Sequence, residues 1–224
     1  LAINAIKKIK NEFDCELIAG NVATKEGCED LISAGADAIK VGVGSGSVCI
    51  TRIVTGSGVP QLTAVIDCAE IADKYNIPVI SDGGCRSSGD IVKALVAGAS
   101  SVMIGSLFAG TDESPGFAIM KNGTKYKMSR GMASVSANIT KKKIDQGQVE
   151  QEDLDDVVAE GVEAVVPYKG RVSDVIKQLL GGVRSGLSYC GASNLEDLKR
   201  NAEFIKITKH GLEESKSHDV DVIK

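Results

Sequence analysis

The chain has 224 residues, 43% hydrophobic and 25% charged, with a formal net charge of −4, which suffices for one substantial core and excludes a disordered polypeptide. Acidic and basic residues are interspersed, Trp is absent and Phe and Tyr are few, which disfavours a nucleic-acid footprint, an anionic-membrane surface and a base-stacking platform. No run approaches the ~20 apolar residues of a membrane span, the first residues do not form a signal peptide, and scattered cysteines without zinc-type pairs point to reduced thiols in a cytoplasmic compartment.

In chain order, residues 1–115 alternate short apolar runs with helical stretches. Leu17–Gly20 reads as a strand, 25–34 as a helix and Ala38–Val41 as a second strand. An amphipathic helix from Gln61 to Tyr75 leads to a strand at Ile77–Ile80, a helix over 88–97 and a strand at Ser101–Ile104. Four strand–helix units with continuously apolar strands predict an α/β fold, a parallel sheet covered by helices. Unusual residues close every unit: Gly20-Asn21, a glycine-rich cysteine loop, Ser81-Asp82-Gly83-Gly84 and Gly105-Ser106. In a (β/α)8 barrel such strand ends converge on the active site, and four units of ~30 residues make half of one. Residues 116–170 read as a flap region of the same domain. Over 171–224 come outer helices at about 172–181 and 194–202, then a tail; the Gly-Gly-Val-Arg-Ser-Gly segment at 181–186 lies between the helices and lacks the spacing of a dinucleotide fingerprint.

The segment Gly42-Val43-Gly44-Ser45-Gly46-Ser47-Val48-Cys49-Ile50-Thr51-Arg52 reads as a nucleophile loop on a strand tip. Its glycines permit backbone angles closed to other residues and let amides or carbonyls approach a ligand. Cys49 is the residue in it able to attack carbon once its thiolate forms.

Asn21 after a glycine, Gly-Ser-Gly-Ser-x-Cys-x-Thr over 44–51, Asp82-Gly83-Gly84, Val102-Met103-Ile104-Gly105-Ser106, Arg130-Gly131-Met132 and Pro167-Tyr168-Lys169-Gly170 occur in that order. Together they resemble the inosine monophosphate dehydrogenase and guanosine monophosphate reductase family over nearly the whole chain. The resemblance implies a TIM barrel of which residues 1–224 carry the C-terminal four units with flap and tail, the family's first four units being absent here. It implies attack by Cys49 on C2 of a purine mononucleotide, GMP or IMP, and hydride exchange with NADP(H) or NAD(H). Thr51 would help to activate the ammonia or water that leaves or attacks at C2; the plainer reading of Thr51 is a loop-to-helix cap.

By the same resemblance Ser47, Gly83, Gly84, Gly105 and Ser106 hold the substrate phosphate, and Asp82 accepts from the ribose hydroxyls. Met132 and Ala133 match positions that contact base or phosphate, Glu160 matches the one that recognises the purine N1 edge, and Asn21, Gly42 and Gly44 fall to the cofactor. Ser129 stands where the family often has Tyr, and Ala133 where it usually has Gly or Ser. The carbonyls of Gly44, Gly46 and Cys49 resemble a potassium site completed by Glu214, Ser215 and Lys216 from a neighbouring subunit, which implies a homotetramer. His210 and His218 read as solvated surface.

The flap carries the direction of reaction. The dehydrogenases bear an Arg-Tyr pair there, the Arg serving as base for water; between Ser134 and Glu160 this chain has Lys141-Lys142-Lys143 and an acidic run, with neither Arg nor Tyr. The reductases pair the Thr with a Glu, expected three residues after the flap methionine, and that position is Val135. Neither dyad is complete by this reading, with Glu160 or Glu163 as substitute carboxylates and Arg130 as a nearby charge. A reductase is the preferred reading, a dehydrogenase the alternative and an inactive nucleotide-binding homologue a third; a phosphosugar or flavin barrel shares the phosphate motifs but not the cysteine loop.

Overall fold

The computed structural model describes residues 1–134, 137, 139–140, 144, 159–217 and 220. Helix α1 (Ala2–Glu12) precedes strand β1 (Ile18–Val22), helix α2 (Lys25–Ser33) and strand β2 (Ala38–Val41). The short α3 (Thr51–Thr55) and the longer α4 (Gln61–Ala72), extended by a 3-10 turn at Asp73–Tyr75, lead to β3 (Val79–Asp82), α5 (Ser88–Val96) and β4 (Ser101–Met103). The four strands form one parallel sheet in sequence order, with Ile18 against Ala38, Ile39 against Val79 and Ile80 against Ser101. This is the α/β arrangement expected, with β3 displaced two residues towards the C-terminus so that Asp82 is its last residue.

Apolar strands and small helical residues make the core. Ile39 and Val41 of β2 are fully buried and pack with Val65, Cys68 and Ala72 of α4, Cys28 and Leu31 of α2 and Val79 of β3. Side-chain caps fix where the helices start: Thr24 accepts from Gly27 N–H ahead of α2, and Ser87 from Asp90 N–H ahead of α5. These starts set the length of each strand-to-helix loop.

Residues 116–170 contain an antiparallel sheet that the sequence reading left inside the flap region. Strands β5 (Ala118–Lys121), β6 (Thr124–Arg130) and β7 (Glu163–Pro167) pair in that order. Asn122-Gly123, at φ 50° and 75°, closes the β5–β6 hairpin, an Asn-Gly turn whose geometry matches strand twist.

The outer helices correct the sequence reading. Helix α6 runs from Val172 to Tyr189, straight through the glycine-rich segment expected to end it at 181. Gly182 and Gly186 face Ser88 and Val92 of α5 so closely that a Cβ would overlap them, so the glycines set a helix crossing rather than a break. Helix α7 (Leu195–Asn201) inserts Leu198, fully buried, among Ile91 and Leu95, and α8 (Lys209–Glu214) follows. Among the described residues no helix is long and apolar enough to cross a membrane. Leu198→Ala removes the one fully buried side chain of α7 and is expected to lower unfolding free energy by about 2–5 kcal/mol, read by chemical denaturation.

Candidate active site

Strand tips and the antiparallel sheet enclose a cleft of about 1110 Å³, walled by Gly46–Val48, Asp82–Cys85, Met103–Ser106, the 108–117 loop, Met128–Arg130, Met132, Glu163 and Val172. Seven residues expected to bind substrate, Ser47, Asp82, Gly83, Gly84, Gly105, Ser106 and Met132, line this one cleft although they come from four loops.

The cysteine loop is held from three sides. Ser45 Oγ donates to Gln61 Oε1 at 2.8 Å, and Gln61 Nε2 donates to Val41 O at 2.9 Å and to the buried Ser81 Oγ at 3.0 Å. Gly84 N–H donates to Ser45 O at 3.2 Å, which ties the Asp-Gly-Gly turn to the same loop. The Arg52 guanidinium donates to Val59 O and, at 3.4 Å, to Val43 O, so one charge bridges the two ends of the loop. Gly42, at φ 148°, passes against the Asp82 carbonyl where a Cβ would overlap, and Gly44 packs under the Arg52 side chain. Those two glycines are required by the protein's own packing.

The third side is the segment 160–162. Ile50 N–H donates to Glu160 O at 2.8 Å and Val162 N–H to Val48 O at 3.0 Å, a short antiparallel bridge centred on Cys49 and Gly161. The same segment bonds to the turn after β6: Glu160 N–H to Ala133 O at 3.1 Å and Gly131 N–H to Val162 O at 3.0 Å. This pairing brings three side chains into line. Cys49 Sγ lies 3.1 Å from Thr51 Oγ1, which lies 2.6 Å from Glu160 Oε2; the thiol donates to the hydroxyl and the hydroxyl to the carboxylate.

This arrangement bears on the cap reading of Thr51 and on the choice between Glu160 and Glu163. Thr51 is the first residue of α3, whose cap position is Ile50 and makes no side-chain cap, so the Thr51 hydroxyl serves the Cys–Glu line instead of the helix end. The threonine also has its carboxylate, from Glu160; Val135, Lys141–Lys143, the acidic run over 150–156 and His218 lie outside the described residues.

Asp82 is fixed by two donors on one oxygen: Lys40 Nζ forms an ion pair with Oδ2, and Asn21 Nδ2 donates to it at 3.0 Å while also donating to Gly42 O at 2.8 Å. Among the described residues no protein group donates to Asp82 Oδ1, the oxygen left for a ligand. Cys85 also lines the cleft, but burial, with Asp90 nearby, pushes its thiol up from the ordinary range and keeps it a poor nucleophile.

Of the carbonyls expected at a cation, Gly46 O accepts from Cys49 N–H at 3.1 Å, whereas Gly44 O and Cys49 O accept no protein hydrogen bond among the described residues. Glu214, Ser215 and Lys216 are exposed at the end of α8, with Ser215 Oγ on Gly211 O at 2.8 Å and Lys216 paired with Glu213 at 2.8 Å. His210 is exposed on the same helix. Lys40, Gln61 and Arg52 were not singled out in the sequence; a lysine inside the apolar strand Ala38-Ile39-Lys40-Val41 was the one visible sign.

Arg52→Met removes both clamps on the loop, and amide hydrogen exchange over residues 43–59 is expected to quicken about tenfold or more, since hydrogen bonds from a charged donor contribute about 1.5–3 kcal/mol each.

Comparison with known proteins matches residues 1–218 to the family described as IMP dehydrogenase / GMP reductase domain. An inosine-5′-monophosphate dehydrogenase of Nitrosopumilus maritimus is 62% identical over 221 residues, covering 98% of this chain and 46% of that protein. A GMP reductase of Leishmania donovani is 50% identical over 225 residues, covering 98% and 45% respectively. A crystal structure of Trypanosoma brucei GMP reductase with one cysteine changed to alanine, in complex with guanosine 5′-monophosphate, superposes with a TM-score of 0.90 at 47% identity, covering 98% of this chain and 45% of that one. The chain thus spans about half the length of the relatives it matches, and its parallel sheet is part of a TIM barrel. By its sequence, its fold and the loop that carries Cys49, the chain belongs to the IMP dehydrogenase / GMP reductase family.

Proposed function

We propose that this chain carries the nucleophile and most of the nucleotide site of an oxidoreductase that converts GMP to IMP and ammonia, with Cys49 as the covalent catalyst. The observation that carries the reading is the line Cys49 Sγ, Thr51 Oγ1, Glu160 Oε2, with contacts of 3.1 and 2.6 Å. A thiol is a weak nucleophile until it loses its proton, and a hydroxyl bonded to a carboxylate gives that proton a destination.

The thiol proton passes to Thr51 as the Thr51 proton passes to Glu160, and the Cys49 thiolate adds to C2. Run backwards, the line returns a proton to the 2-amino group, which leaves as ammonia with C2 bonded to Sγ. A nicotinamide, when bound, would supply the hydride for C2, and Cys49 is the group that would leave C2 as thiolate. Met132, exposed on the cleft wall, and Ala133, whose carbonyl anchors Glu160, flank the base, and Asp82 Oδ1 accepts from the ribose.

Toward the cofactor this chain offers the exposed Asn21 beside Asp82. Gly42 and Gly44 have an internal reason to be glycine and leave no open cradle, so the fit rests on Asn21 and the width of the cleft. Potassium fits the unengaged carbonyls of Gly44 and Cys49 better than the Gly46 carbonyl, which is already in use. The tail of a neighbouring copy in a homotetramer would complete it.

The absence of Arg and Tyr between Ser134 and Glu160 favours the reductase, since hydrolysis of a covalent adduct needs a further base for water. The dehydrogenase reading is supported by the name of the 62%-identical relative. An inactive homologue is disfavoured by the unbroken Cys–Thr–Glu line.

Paired assays on the full-length protein in potassium separate the two directions: NADPH oxidation with GMP is expected, and NAD reduction with IMP as the sole activity overturns the reductase reading. In the active direction Cys49→Ser is expected to abolish turnover while nucleotide binding survives, and retained turnover excludes covalent catalysis. Glu160→Gln is expected to slow ammonia release by about 10²–10⁴-fold, seen in single-turnover experiments.

A further inference from the structure

In the reading above, on which this inference rests, the cleft takes a phosphate dianion. Yet the charged side chains lining it are Asp82, Glu113, Arg130 and Glu163, three of them acidic. The net wall charge therefore does not attract the phosphate, and backbone amides are needed beside the Ser47 and Ser106 hydroxyls to hold it.

The turn after β4 is held in a way that turns its amides outward. Phe108 N–H donates to Gly105 O at 3.0 Å, and Lys169 Nζ donates to Leu107 O at 3.0 Å and to Ser106 O at 3.4 Å. Three consecutive carbonyls are thus engaged behind the turn. In a trans peptide C=O and N–H point opposite ways, so fixing the Gly105 and Ser106 carbonyls directs the Ser106 and Leu107 amides away from those donors. Among the described residues no protein group accepts from the amides of Gly105, Ser106 or Leu107, and Gly105 and Ser106 are cleft-wall residues. The Lys169 stem crosses Gly110, where a Cβ would stand 3.2 Å from Lys169 Cγ, and Lys169 N–H donates to Gly110 O at 2.8 Å.

The far end of the same loop has a second ammonium clip. Lys127 on β6 is 6% exposed, and its three N–H donors go to Thr111 O at 2.8 Å, Asp112 O at 3.2 Å and Ser114 O. The neighbouring carboxylates serve elsewhere: Asp112 accepts from Tyr168 Oη at 2.7 Å and Glu113 from the Val172 amide at 2.8 Å.

We propose that Lys169, with Lys127 anchoring the other end of the loop, is a positioning residue for the substrate's 5′-phosphate. Its charge acts through the peptide dipoles, ammonium to carbonyl on one side and amide to phosphate on the other, without touching the ligand.

The test is calorimetric binding of GMP and of guanosine to the full-length protein without cofactor. Wild type is expected to prefer the monophosphate strongly. Lys169→Met is expected to weaken GMP about tenfold while guanosine changes less than twofold, and Lys169→Arg to restore most of the loss. Lys169 is exposed, so its variants keep the fold; Lys127→Met, if it folds, is expected to act in the same sense. An unchanged phosphate preference in Lys169→Met, or equal losses for both ligands, overturns this inference alone. A wild-type protein with no preference for the monophosphate overturns the functional reading and this inference together.

Discussion

The site depends on one pairing of distant segments: residues 48–50 against 160–162, with Thr51 and Glu160 separated by 109 residues in the chain. Backbone bonds on both sides of Cys49 fix where its side chain starts, and the turn at 131–134 fixes Glu160 from behind. Two amide bonds of about 1 kcal/mol each would not order two loops alone. They do so because Gln61, Ser45 and Arg52 have already restricted the cysteine loop, so little entropy remains to be lost. A carboxylate bonded to a hydroxyl at 2.6 Å is the point of highest polarity on this interface, and each further backbone contact serves to keep it registered.

The parallel sheet contributes placement rather than chemistry. Side chains that meet in the cleft start from the ends of β2, β3 and β4, a few ångströms apart by virtue of strand spacing. Close approach of one tip to the next is then a steric problem, solved at Gly42 against the Asp82 carbonyl and at Gly83, φ 99°, against Ser45. Asp82 inherits its orientation from the same crowding: Lys40 reaches it from β2 and Asn21 from the end of β1, so both donors fall on one oxygen and the other receives none among the described residues.

What the sequence revealed follows from the range of the interactions involved. Strands with continuous apolar runs, helix starts and the glycine–cysteine loop are local patterns, and they lie within two residues of expectation. Helix α6 was misread because glycine propensity is a local penalty, outweighed here by the close packing of Gly182 and Gly186 on α5. For the carboxylate partner of Thr51 the sequence leaves two substitutes, Glu160 and Glu163, and the structure puts Glu160 on the threonine through a non-local bridge that no window of sequence contains. The antiparallel sheet was missed although Asn122-Gly123 is a strong hairpin signal, because the flanking Met120-Lys121 and Thr124-Lys125 lack clear alternation. Lys127 gave no sign at all, since a lysine in a polar strand reads as solvated until its three carbonyl partners are seen.

A single proton conduit also bears on direction. In the mechanism proposed above, once the thiol proton has reached Glu160 that carboxyl is spent as a base until the proton leaves again. In the reductase reaction the departing amine takes it at once, and the conduit is reset within the same half-reaction. In the opposite reaction C2 carries hydrogen and no amine departs, so the proton stays on Glu160 while a water molecule still has to be activated. That second task needs a separate base. The stretch from Ser134 to Glu160 contains neither the Arg nor the Tyr that the dehydrogenase flap would provide, and this is why the function proposed for the Cys49–Thr51–Glu160 line is ammonia release.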